Sequence, residues 1–153
     1  MSEQIQHARP HETTPRIPIG DLLLEDGASV DRRVEHLAEG TIRRVLAMRD
    51  HPGETELARF TDTLLTYCTV LANGLHTVPE GALCTRGQAA LLVWAKLRAE
   101  GPAEGPFGTW SYPRHLAHCA RDMMIAIREH RSSAAAASFI GRAGLPPVPT
   151  DAS

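Results

Sequence analysis

Aromatic side chains are scarce in this chain, at 5% of 153 residues, although apolar residues make up 42%. Any core must therefore be built chiefly from Leu, Ala, Val and Met, and such a lean core suits helix on helix better than sheet on sheet. An excess of one charge is also lacking: 16 Lys and Arg face 18 Asp and Glu, a formal net charge of -2. That balance leaves no electrostatic footprint for nucleic acid or an anionic membrane surface. No run approaches the roughly 20 apolar residues of a transmembrane helix.

Cysteine is limited to Cys68, Cys84 and Cys119, an odd number without a CxxC pair. A disulfide framework would leave one thiol over, so a reducing compartment is the simpler expectation. His7, Pro10, His11, Pro15 and Pro18 break up the first twenty residues, which lack the basic start and apolar run of a secretory leader. A cytoplasmic location is expected. No phosphate-cradling glycine loop, GxGxxG, GxSxG or HExxH is present, and no cofactor is expected.

What the chain does contain is helical periodicity. From Leu57 to Val78, apolar residues recur at steps of three and four (Leu57, Phe60, Leu64, Cys68, Leu71, Leu75), while Arg59, Asp62, Thr66 and Asn73 occupy the other side. This predicts a long amphipathic helix ending around Thr77, which its neighbours must cover along one stripe. A preceding helix is expected from about Val30 to Asp50, stopped by His51-Pro52-Gly53. A third is expected from Thr85 to Glu100, closed by Gly101-Pro102, and a fourth from near Ser111, with Pro113 in its first turn, to near Arg131. Short connections between four helices imply an all-α, antiparallel four-helix up-down bundle. Residues 1–25 are expected to be a flexible leader, or a flap in which Leu22, Leu23 and Leu24 lie against the bundle. Residues 26–131 are then the bundle, and 132–153 a mostly disordered tail poor in core residues, although Ala134 to Ile140 could extend or follow the fourth helix.

Two weak constellations could carry chemistry. His115, His118 and Asp122 are spaced three and four apart, so they share one side of the fourth helix, where a metal wants convergent ligands. One helix supplying all three strains that geometry, and a hydrated polar stripe is the plainer account. Cys84 stands just before the third helix, where backbone amides can favour a thiolate, and His76 lies across the intervening turn. A thiol nucleophile also needs an orienting group and an oxyanion site, so Cys84 as a small apolar plug is preferred. Phe107, Trp110 and Tyr112 could line a pocket at a bundle end, but aromatic bodies more often seal a loop onto the core.

The third helix carries more apolar surface than a bundle uses. Leu83, Ala90, Val93, Trp94 and Leu97 form one face, and Leu91, Leu92, Ala95 and Ala99 a second. The second face is expected to be covered by the Leu22-Leu24 flap, by a second copy or by another protein, with a homodimer favoured.

The Leu-rich helix ending at Val78-Pro79, the segment Gln88 to Ala95 and the Arg114-His115-Leu116-Ala117 opening of the last helix together resemble a family of small uncharacterised all-helical proteins. Those proteins come from high-GC actinomycete-type bacteria and are often filed under natural product biosynthesis. The likeness spans roughly Leu57 to Arg131 and rests on composition and helix order. It implies an accessory or regulatory role and brings no catalytic residues with it. The expectation is therefore a non-catalytic accessory or interaction protein; the alternative is a small enzyme or ligand-binding bundle using the Cys/His or His-rich positions.

Overall fold

The computed structural model describes residues 32–140, so the Leu22-Leu24 flap and the last thirteen residues of the expected tail lie outside the described residues. Four helices account for nearly all of it: α1 (Arg32–Ala47), α2 (Glu54–His76), α3 (Thr85–Glu100) and α4 (Pro106–Ile140), with no strand among the described residues.

The α2 stripe behaves as its spacing requires. Leu64, Cys68 and Leu71 are fully buried, and Leu57, Phe60, Tyr67 and Leu75 nearly so. The helix runs through Asn73-Gly74 and ends at His76, where Thr77 turns both its N–H (3.3 Å) and its hydroxyl (2.7 Å) onto the Gly74 carbonyl. Val78 N–H reaches the Leu75 carbonyl at 3.1 Å, so two of the last carbonyls of the helix find partners in this way.

The hub, however, is α4. It packs against each of the other three helices, most extensively against α2, while α1 and α3 barely touch. Its buried set spans a broad arc that includes Ala117, Ala120 and Ala126 beside Leu116, Met123, Met124 and Ile127. Alanine contributes little to an apolar count, yet its small side chain lets a neighbouring backbone approach closely. Helix α4 therefore serves three partners at once.

Helix α4 is also longer than its composition suggests, at 35 residues. It begins at Pro106, directly after Gly105 with φ 90°, and Pro113 lies inside it, fully buried, rather than in its first turn. Proline cannot donate to the carbonyl one turn back; burial of its ring offsets that loss. At the other end the helix passes Arg131 and continues to Ile140 with residues 132–138 exposed. Starting a helix is the unfavourable step, and extending a docked one through Ala134–Ala137, the best helix former, requires no burial.

The connection between α1 and α2 is tied to α4. Arg114 Nη1 donates to the Met48 carbonyl at 2.8 Å, and the His51 ring stacks on Trp110 at 5.1 Å between centroids. Gly53, at φ 94°, donates its N–H to His51 Nδ1 at 3.0 Å and so fixes the ring in that position. Helices α1 and α2 meet through Arg44, whose guanidinium lies 5.3 Å above the Phe60 ring and 4.0 Å from a Glu56 oxygen.

Candidate functional site

A groove of about 540 Å³ runs between α3 and α4. Ala89, Val93 and Leu97 supply its apolar wall from α3, and His115, His118 and Asp122 face it from α4, so the three residues spaced along one side of α4 do share one surface. Arg121 Nη2 donates to His118 Nδ1 at 3.1 Å, which places the proton of the neutral imidazole on Nε2. Burial holds His118 below the ordinary histidine range, with the nearby Arg121 adding to the effect and Asp122 opposing it. Asp122 is engaged by Arg86 Nη1 at 3.6 Å. Among the described residues no three His, Cys, Asp or Glu side chains come together in a set able to hold a metal ion.

Cys84 occupies the position before α3, in extended conformation, without a side-chain hydrogen bond to the first-turn amides. Its Sγ donates instead to Glu129 Oε2 at 3.4 Å, and Arg86 Nε lies 3.8 Å from the other oxygen of that carboxylate. His76, exposed at the end of α2, makes no hydrogen bond to Cys84. The thiol thus rests on a carboxylate that Arg86 pairs, with no imidazole hydrogen-bonded to it.

Cys68 and Cys119 are buried at the centre, donating to the Leu116 and Ala90 carbonyls, each at 3.5 Å. Contact with Cys119 and then burial push the Cys68 thiol far up. All three cysteines are free. Of the aromatic group, Trp110 packs on His51 and the Tyr112 hydroxyl donates to the Leu97 carbonyl at 2.9 Å, sealing the α3–α4 loop onto the core. A hollow of about 380 Å³ beside Tyr112 is rimmed by Glu54 and Asp62. The Phe107 side chain lies outside the described residues.

Helix α3 differs from its expected partition. Trp94, Ala90 and Gly87 are buried, but Val93, placed by its spacing on the inner face, is 48% exposed. Leu91, placed on the outer face, packs partly against the core. Leu92 is 74% exposed, with Ala95 and Ala99 also exposed. The three large side chains of the Leu91-Leu92-Val93 run project about 100° apart, so α3 presents to solvent the residues that neither α2 nor α4 can reach.

A second polar feature escaped the sequence altogether. Glu35 is buried on α1 and is held from α4 by Arg131 and by Arg128 Nε, the latter at 3.3 Å; Arg128 Nη2 also reaches Glu39 at 3.2 Å. Nothing in a one-dimensional pattern pairs residues so far apart. An acidic side chain interrupting the apolar Val34–Ala38 edge was the one available signal.

Protein-family models, curated proteins and solved structures yield no match to this chain. Among the described residues, no helix is long and apolar enough to cross a membrane.

Proposed function

We propose that this chain is a non-catalytic helical-bundle protein that acts by docking another polypeptide on the outer face of α3, in an accessory role. Leu92 carries this reading: a leucine 74% exposed beside a half-exposed Val93 holds water against apolar surface that a partner would release. The resemblance to the actinomycete-type family supplies the setting, natural product biosynthesis. A homodimer is the simplest assembly of this kind.

In this reading the helices run up, down, up and down. Support comes from the pairing of Glu35, early in α1, with Arg128 and Arg131, late in α4, and of Met48, just after α1, with Arg114. Arg86 and Leu97 of α3 likewise meet Asp122 and Tyr112 of α4 in reverse order.

A photo-crosslinking amino acid at position 92, in cells that express the protein, tests the proposal. Adducts to a polypeptide are expected from position 92 and not from exposed His36 on α1. Absence of any polypeptide adduct at 92 refutes docking on this face. The enzymatic alternative is tested by alkylation: Cys84 is expected to react no faster than a free cysteine, and rapid alkylation abolished by His76→Ala would favour a thiol enzyme.

A further inference from the structure

Helix α2 sets one thiol against another in the middle of the core. Cys68 Sγ lies 3.5 Å from the Leu116 carbonyl and close to the Ala120 N–H, so its sulfur rests on the α4 backbone between those residues. A helical side chain leans toward the N-terminus, over the turn before it, so Cys119 covers that same stretch of α4. The two thiols are accordingly in hydrogen-bond contact, on residues 0% and 3% exposed. A buried cysteine that only fills space needs no second sulfur beside it. The Cys119 thiol also meets the Ala90 carbonyl at 3.5 Å, and both residues line the α3–α4 groove. A molecule the size of water in that groove stands next to the Cys119 sulfur, with Cys68 behind it.

From this juxtaposition we propose that Cys68 and Cys119 form a redox-sensitive lock: a peroxide entering by the groove converts the pair to a disulfide that staples α2 to α4. The lock is independent of the docking role of α3. Cys119 is the attacking sulfur. Hydrogen bonding from Cys68 holds the Cys119 thiol below its ordinary range, against burial and Asp122, while the same contact and burial raise Cys68, which keeps its proton. Cys119 Sγ takes one peroxide oxygen, the O–O bond breaks, and the Cys119 proton leaves with the other oxygen as water. Cys119 is then a sulfenic acid. Cys68 Sγ attacks that sulfur, the S–S bond forms as the S–O bond breaks, and the Cys68 proton leaves with the hydroxyl as a second water. Two thiols have lost two electrons and one peroxide has gained them. Contact between the sulfurs favours this closure over further oxidation of the sulfenic acid. A small dithiol reverses it by exchange.

The test treats the folded Cys84→Ser variant, which keeps the pair and removes the third thiol, with hydrogen peroxide and maps its peptides without reduction. The peptide carrying Cys68 is expected to be joined to the one carrying Cys119 within a single chain. The melting temperature should rise by at least ~5 °C, because a loop of about 50 residues is then closed in the unfolded chain, and dithiothreitol should return it to its starting value. In Cys84→Ser/Cys119→Ala, Cys68 is expected to stay a free thiol under the same treatment, for want of the attacking sulfur; should that variant not fold, the map and melt of Cys84→Ser decide alone. Both thiols still open to alkylation once the treated chain is unfolded, a sulfinic acid at Cys119 without the cross-link, a cross-link that forms only in urea high enough to unfold the chain, or a cross-linked chain that melts no higher than the reduced one overturns the lock.

Discussion

Replacing Glu35 by glutamine keeps the shape of the side chain but removes its charge and turns one of the two oxygens that accept from Arg128 and Arg131 into a donor NH2. Glu35 receives Arg128 and Arg131 while its own side chain is only 6% exposed. A hydrogen bond to a charged group contributes about 1.5–3 kcal/mol and a neutral one about 0.5–1.5 kcal/mol, so in a dry setting the arginine left on the amide oxygen loses about 1 kcal/mol and the one facing the NH2 loses its bond. The arginine side chains are 44% and 29% exposed, which lets water screen part of that difference. A total near 1–2 kcal/mol is expected, a fall of about 4–8 °C in melting temperature for a domain of this size. Removing both cations instead, with Arg128→Met and Arg131→Met, leaves the carboxylate buried without its partners. It should cost more, towards the ~3–5 kcal/mol seen when a buried pair is broken from one side. Urea titration followed by circular dichroism measures both variants, with Glu80→Gln, exposed in the turn before α3, as control. Raising salt should narrow the gap between wild type and Glu35→Gln. If Glu35→Gln unfolds at the same urea concentration as the control, the ion pairs do not anchor the start of α1 and the reasoning fails.

Two further outcomes follow from local geometry. A Cβ at Gly108 would lie 1.9 Å from the Ala103 carbonyl oxygen, whereas one at Gly87 meets the movable end of Leu83 at 2.5 Å. Thermal melts should therefore show Gly108→Ala losing several kcal/mol, of order 3 or more, and Gly87→Ala considerably less; equal effects would place the loop before α4 elsewhere. The folded chain holds His118 below the value of an unfolded histidine, about 6.5, by burial first and Arg121 second. The unfolded state therefore binds that proton more readily, so the stabilising contribution is complete above pH ~6.5 and is lost as pH falls through the lowered folded value. Stability measured between pH 7.5 and 5 relative to His118→Gln should show wild type losing its advantage on acidification; parallel curves would contradict the shift.

The α2 stripe, the breaks at Pro52-Gly53 and Gly101-Pro102, and the all-helical class were legible because each depends on neighbours in sequence: a 3.6-residue period, a missing donor, a positive φ. Helix α4 was legible only in part. Its central place rests on alanines that count for little in a pattern but decide how near α1, α2 and α3 can come, and its final turns follow from propagation of a helix already docked. The split of Leu91, Leu92 and Val93 between core and solvent was set by where α2 and α4 lie against α3, an angle that periodicity leaves free to within one residue. His115, His118 and Asp122 could be placed on one side of a helix from spacing alone, yet their partners Arg121 and Arg86, one of them on another helix, determine what those side chains can bind. The same holds most strongly for Glu35: a carboxylate on an apolar edge is an anomaly in sequence, and only the approach of Arg128 and Arg131, brought from the far end of the chain, makes its burial tolerable.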